Sequence, residues 1–143
     1  MKDLFVIGDV HGCFHTLQCL LKKWQTAKEQ LIFVGDIIDN GNFSPQTVEM
    51  ILQIKENHPD TMIIKGNHEK QFHDHVLQQY DEDWMQKAGE KTLAQYLVYN
   101  RRIEEDAELF KKLPLCFKND FVLVSHAGVS VTPNPFDVEN PNG

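Results

Sequence analysis

The chain has 143 residues, 41% of them hydrophobic and 24% charged, with a formal net charge of −7. That length fits a single domain with a modest core, and the composition excludes both a disordered and a membrane-embedded protein. The acidic balance argues against nucleic-acid binding through phosphate contacts, and an acidic chain acting on an anionic substrate needs local positive charge, which a metal ion can supply.

The opening stretch MKDLFVIGD enters a strand pattern at once, with no h-region and no cleavage site, and no apolar run approaches the length of a membrane span. Cys13, Cys19 and Cys116 are odd in number and show no paired metal spacing, so they read as free thiols in a reducing compartment. A cytoplasmic location without membrane partners is the expectation.

LFVI (4–7) reads as a buried strand. Gly8 breaks it, and GDVHG (8–12) follows. On extended backbone, residues two apart point to the same side, so Asp9 and His11 can reach one point in space, such as a metal ion. From Phe14 the pattern turns helical, with Phe14, Leu17, Leu21 and Trp24 on one face. LIFVG (31–35) is a second buried strand. Ser44-Pro45 reads as an N-cap with proline at the first helical position, ahead of a stripe formed by Val48, Ile51, Leu52 and Lys55. TMIIK (61–65) is a third strand, ended by Gly66. This strand–helix–strand–helix–strand order predicts right-handed crossovers and a largely parallel sheet. The unalternated apolar runs predict strands covered on both faces.

From Glu69 to about Lys112 the chain is polar and helical, anchored by Phe72, Val76, Trp84, Leu93, Tyr96, Leu97, Leu109 and Phe110, with Gly89 separating two helices. This segment, about 69–112, reads as a helical insertion over one edge of the sheet within one domain spanning 1–143. FVLVS (121–125) returns to strand, and the Pro- and Asn-rich tail SVTPNPFDVENPNG (130–143) predicts loop or disorder.

Each early strand ends in a glycine beside a residue able to bind metal: Gly8, Asp9 and His11, then GDIIDNG (35–41), then GNHE (66–69). The late strand runs into SHAG (125–128). Ligands bind at the carboxyl ends of strands in open α/β sheets, and four such ends would converge there. The steps 9 to 36 and 36 to 67, of 27 and 31 residues, each leave room for a crossover helix. Asp, His and Asn without Cys suit Mn, Fe or Zn. A carboxylate between two ligand sets can bridge two ions about 3.5–4 Å apart, the arrangement used in phosphoryl chemistry. Asp36, in the middle of the series, is the natural bridge.

With GDVHG, GDIIDNG, GNHE and HAG in this order over residues 8–128, the sequence resembles the calcineurin-like metallophosphoesterases, in their phosphoprotein-phosphatase branch. The resemblance implies an α/β sandwich of two mixed sheets flanked by helices. It implies two divalent ions, manganese foremost, with Asp9, His11 and Asp36 at the first and Asp36, Asn67 and His126 at the second. His68 matches the general acid that protonates the leaving-group oxygen, and Asp39 the carboxylate that orients and charges it. Asn67 and His68 also face substrate. The implied reaction is hydrolysis of phosphomonoesters, with phosphoserine or phosphothreonine proteins favoured over small phosphoesters.

The chain departs from that pattern in two ways. Asn40 stands where the family has a phosphate-gripping arginine, and an amide cannot replace a charged bidentate donor. The family also places a further metal-binding histidine and a second arginine on strands after the HAG block. Nothing after Gly128 supplies either, so the expectation is a sequence lacking the C-terminal strands of the second sheet. An unpaired strand edge would then favour self-association.

Two other readings stand beside the leading one. A related branch hydrolyses symmetric dinucleoside polyphosphates with the same motifs but commonly lacks the aspartate matching Asp39. A non-catalytic metal-binding or interaction module is the reading motivated by Asn40 and the absent late ligand. Among lesser candidates, His73 and His75 read as a solvated helix face rather than an extra metal site. Arg101 and Arg102 read as surface charge beside EED (104–106), and Cys13 as a small buried residue.

Overall fold

The computed structural model describes residues 2–128, so the 130–143 tail lies outside the described residues. Three strands, β1 (Asp3–Ile7), β2 (Glu29–Phe33) and β3 (Met62–Ile63), form a parallel sheet in the order β1-β2-β3. Helices α1 (Phe14–Leu21) and α2 (Ser44–Asn57) make the crossovers. The register pairs Ile7 with Phe33 and Phe33 with Ile63, so the three strands end at one level. The loops that follow them therefore emerge side by side.

Leu31, Ile32 and Phe33 are all fully buried, as expected of a central strand covered on both faces. β1 departs from that expectation. It pairs only with β2 among the described residues, and Val6 is 47% exposed. The third strand is also shorter than its apolar run. Beyond Ile63 the chain leaves the ladder: Ile64 N still donates to Phe33 O at 2.9 Å, but Lys65 N donates to Pro114 O at 2.8 Å.

After β3 come α3 (Asn67–Leu77), the short α4 (Glu82–Trp84), a π-helical turn (Met85–Gly89), α5 (Glu90–Tyr99) and α6 (Ile103–Lys111). Phe72, Trp84, Tyr96 and Phe110 are the aromatic core of this segment, with Phe72 ring centroids 5.8 Å from Trp84, 5.4 Å from Tyr96 and 5.4 Å from Phe110. Burying side chains of this size stabilises the fold by about 1.5–3 kcal/mol each. Leu97 is not one of the anchors; it is 75% exposed.

Gly89 does not divide two helices. It lies inside the π-helical turn, where a Cβ would stand 2.6 Å from Cε3 of Trp84. The missing side chain makes room for the indole. Ser44 is likewise not the N-cap. The helix begins at Ser44 after Phe43, and Ser44 Oγ accepts from Asp39 N at 3.1 Å instead, tying the helix to the loop before it.

A second sheet pairs β4 (Cys116–Lys118) antiparallel with β5 (Leu123–Ser125). β4 was not foreseen, and FVLVS contributes only its last three residues to strand. The reason is a turn at Asn119, whose Oδ1 accepts from Phe121 N and Val122 N at 2.9 Å each and closes a hairpin. Two sheets are present as expected; among the described residues one is parallel and the other antiparallel.

Candidate metal centre

The loops after β1 and β2 are laced together through backbone. Val10 N and His11 N both donate to Asp36 O, at 3.0 and 2.8 Å, and Gly12 N donates to Ile37 O at 2.7 Å. Four non-glycine residues here hold left-handed backbone: His11 (φ 46°), Asp36 (φ 49°), Asp39 (φ 72°) and Asn40 (φ 59°). Such conformations cost on the order of 1–3 kcal/mol each and persist only where the surroundings over-determine them. Gly35 (φ 99°) passes so close to the next loop that a Cβ there would lie 2.4 Å from Gly66 N.

Glu69 supplies much of that determination. Its fully buried carboxylate accepts from Asp36 N (2.8 Å), Ile37 N (2.7 Å) and Gly66 N (2.9 Å), so one side chain of α3 fastens the ends of β2 and β3. Burial pushes its pKa up, against the backbone donors that favour the charged form. Sequence reasoning gave Glu69 no role. The signal was its place three residues after Gly66, where a helix-start glutamate reaches back to a free N–H.

Asp36 is the centre of the arrangement. Its side chain is 5% exposed, its Oδ1 accepts from His68 N at 3.0 Å, and its Oδ2 faces three imidazole nitrogens. Those are Nε2 of His126 at 3.4 Å, of His11 at 3.7 Å and of His68 at 4.0 Å. His11 Nδ1 lies 2.8 Å from Ile38 O, and His126 Nδ1 lies 2.9 Å from Val34 O. A carbonyl only accepts, so each Nδ1 donates to it, and each Nε2 is left facing the Asp36 carboxylate. In each of two groups around Asp36, carboxylate oxygens and imidazole nitrogens lie within 4.8 Å of one another, close enough to share a cation. The donor set of oxygen and imidazole nitrogen is the kind that holds a divalent metal.

The ligand atoms fall into two groups that share Asp36: His11, Asp36 and His68 in one, and Asp9, Asp36 and His126 in the other. Asn67 joins the second, with Oδ1 3.0 Å from His126 Nε2. Asp9 is half exposed and stands between the histidines, with Oδ2 3.8 Å from His11 Nε2 and Oδ1 3.9 Å from His126 Nδ1. Asp9, His11, Asp36, Asn67, His68 and His126 thus stand close together, but Asp9 groups with His126 and His68 with His11, where Asp9 was expected with His11; Asp9 Oδ2 still lies 3.8 Å from His11 Nε2. His126 comes from the second sheet rather than from the parallel one.

His68 differs from the other two histidines. Its Nδ1 lies 2.7 Å from Asp39 Oδ2, a buried carboxylate, and its ring meets that of His11 edge-on at 4.8 Å. The hydrogen bond to Asp39 raises the His68 pKa; partial burial opposes it, and the charge of Asp36 adds to it. Asp39 is held in turn by Trp84 Nε1 on Oδ2 (2.8 Å) and Thr92 Oγ1 on Oδ1 (2.5 Å). Neither Trp84 nor Thr92 was foreseen at the site, because they arrive from far along the chain.

The remaining candidates lie elsewhere. Arg101 is held by Asp106, with Nε and Nη2 each 2.7 Å from its carboxylate, and Arg102 pairs with Glu105 at 2.8 Å. At the Asn40 position, Lys91 Nζ donates to the backbone carbonyl of Asn40 at 2.7 Å. His75 Nδ1 accepts from Asp81 N at 3.0 Å. His73 is not on a solvated face; it is 6% exposed, and among the described residues its ring nitrogens have no hydrogen-bond partner. Cys13 is exposed rather than buried.

Loops at the carboxyl ends of the parallel sheet, joined by His126 from the second sheet, thus gather Asp, His and Asn around one shared aspartate. The family model for calcineurin-like phosphoesterases matches residues 3–143, and the chain belongs to that family. The family normally binds two divalent metal ions, and the two ligand groups around Asp36 fit that number.

Over 128 residues the chain is 30% identical to the symmetrical bis(5'-nucleosyl)-tetraphosphatase of Vibrio parahaemolyticus, covering 88% of this chain and 44% of that protein. It is 32% identical over 128 residues to the serine/threonine-protein phosphatase 4 catalytic subunit of Candida glabrata, covering 87% of this chain and 38% of the relative. The cold-active protein-tyrosine phosphatase of a psychrophilic Shewanella shares the fold, with a TM-score of 0.67 at 21% identity, over 91% of this chain and 43% of that one. The chain thus spans less than half the length of the curated relatives it matches. Among the described residues no helix is long and apolar enough to cross a membrane.

Proposed function

We propose that the chain is a two-metal phosphatase that hydrolyses phosphomonoesters, with phosphoserine and phosphothreonine in proteins as its substrate class. The observation that carries this reading is the buried Asp36 carboxylate facing His126, His11 and His68 at 3.4–4.0 Å. Asp9, His11 and Asp36 would hold one ion and Asp36, Asn67 and His126 the other, with Mn²⁺ preferred over Fe or Zn. When bound, such ions neutralise phosphate charge and lower the pKa of water to make a nucleophile.

The chain's own residues do the rest. His68 donates the proton to the leaving-group oxygen from Nε2, while its Nδ1–H stays on Asp39. Keeping that hydrogen bond fixes the ring plane and favours the imidazolium needed for general-acid catalysis. Asn67, at the start of α3, stands beside His68 and faces the same phosphate.

The likeness to a symmetrical bis(5'-nucleosyl)-tetraphosphatase favours a second reading, hydrolysis of dinucleoside polyphosphates. The deciding experiment is phosphate release with Mn²⁺ from a phosphoserine peptide and from diadenosine tetraphosphate. Faster release from the peptide is expected. Faster turnover of the dinucleotide overturns the substrate assignment, and no metal-stimulated release from either overturns the reading as a phosphatase.

A further inference from the structure

Trp84 and Thr92 are eight residues apart, yet both donate to one carboxylate, that of Asp39. In a regular α-helix eight residues advance by about 800°, which leaves two side chains about 80° apart around the axis. The π-helical turn at Met85–Gly89 takes up one extra residue. Positions eight apart across it then align as positions seven apart do in a regular helix, about 20° from coincidence. Gly89 permits the turn by leaving space beneath the Trp84 indole.

The same helix face also grips the loop that carries Asp39. Gln95 Nε2 donates to Gly41 O at 2.9 Å, and Gln95 Oε1 accepts from Ser44 N at 2.8 Å. With His68 Nδ1 at 2.7 Å, the buried Asp39 carboxylate has three donors in fixed directions. Its backbone sits in the left-handed region at φ 72°, a conformation that persists only where its surroundings hold it.

We propose that the π-helical turn is the positioning device of the His68–Asp39 pair, and that Trp84 and Thr92 are positioning residues acting through Asp39. They hold the carboxylate in the one orientation that fixes the His68 ring. The proposal rests on the reading of His68 as the proton donor, but its test does not depend on activity alone.

The test uses Thr92→Val, which removes the hydroxyl at constant shape, Thr92→Ser, which keeps it, and Trp84→Phe, which keeps the ring and removes the N–H. The first readout is the His68 Nδ1 proton in ¹⁵N-histidine-labelled chain without added metal, assigned by its loss in His68→Gln. A proton held against a buried carboxylate is expected as a slowly exchanging downfield resonance. Thr92→Val and Trp84→Phe should lose it to exchange with water, while Thr92→Ser keeps it. The second readout is p-nitrophenyl phosphate hydrolysis with Mn²⁺. There Thr92→Val should lower kcat roughly 10- to 100-fold with KM unchanged, and Thr92→Ser should recover most of it.

Retention of the resonance in both Thr92→Val and Trp84→Phe overturns the proposal. So does a Thr92→Ser variant as impaired as Thr92→Val, because the methyl packing would then be what matters. If the chain releases no phosphate, the resonance series still decides the positioning role, while the phosphatase reading fails by itself. If Thr92→Val melts without cooperativity, the Trp84→Phe result decides.

Discussion

His68 Nδ1 and Asp39 Oδ2 lie 2.7 Å apart, joining the first residues of α3 to the loop after β2. Asp39 is fully buried, and the hydrogen bond it accepts keeps the His68 ring from turning its other nitrogen away from Asp36. That relationship sets the surroundings of His68 apart from those of His11 and His126, whose Nδ1 atoms rest on backbone carbonyls.

His68→Ala should lower kcat for p-nitrophenyl phosphate by roughly 10²–10⁴-fold, the range for losing a positioned general acid. Bound metal, measured by elemental analysis after gel filtration, should stay at the wild-type amount. Loss of an ion would make His68 a ligand in the group it forms with His11 and Asp36.

Asp36→Asn should weaken Mn²⁺ binding at both ligand groups, since both include this carboxylate. Asp9→Asn and His126→Ala should each affect one group more than the other. Calorimetric titration checks the pattern. Equal and complete loss in all three variants would contradict a bridging role for Asp36.

Glu69→Gln should destabilise the chain by about 1–3 kcal/mol, because an amide –NH₂ turned toward backbone N–H groups leaves buried donors unpaired. The carboxylate accepts from Asp36 N, Ile37 N and Gly66 N, so Mn²⁺ affinity should fall along with the melting temperature. Thermal melting of the metal-free chain separates the two effects. An unchanged melting temperature would remove Glu69 as the fastener of these loops.

His73 gives a pH dependence that lies apart from the metal centre. Its ring is buried, and Asp74 Oδ1, 3.0 Å from Nδ1, is out of line for a hydrogen bond. Desolvation lowers its pKa, against the charge of Asp74 and with that of Lys65, Lys70 and Lys111. The unfolded chain therefore binds this proton at a higher pH than the folded one. Stability should be flat above the ordinary value of 6.5 and fall as pH drops below it. His73→Phe should flatten that slope in urea titrations across pH 5–7, and an identical slope would rule His73 out as its source.

The alternation of strand and helix and the four loops that carry the candidate ligands were legible in the sequence because each rests on local signals: apolar runs, a glycine at each early strand end, and ligand-type residues beside it. Asp9, His11, Asp36, Asn67 and His126 stand near one another for that reason. What stayed hidden depends on distant parts of the chain. Trp84 and Thr92 read as helix core, and only the π-helical turn brings both to Asp39. The Ser44 hydroxyl matched a helix cap until the Asp39 amide claimed it. His73 matched a solvated face by its polarity, but the packing of α3 against α6 sets its burial.

The central claim is that the side chains around Asp36 hold metal for phosphoester hydrolysis. It is tested most directly by stripping the chain with a chelator, titrating Mn²⁺ back, and recording bound ion and phosphate release from p-nitrophenyl phosphate in the same samples. The account predicts no release from the stripped chain, recovery as the ions return, and none at any Mn²⁺ level in Asp36→Asn. Full ion binding without phosphate release, or hydrolysis indifferent to the chelator, would contradict it.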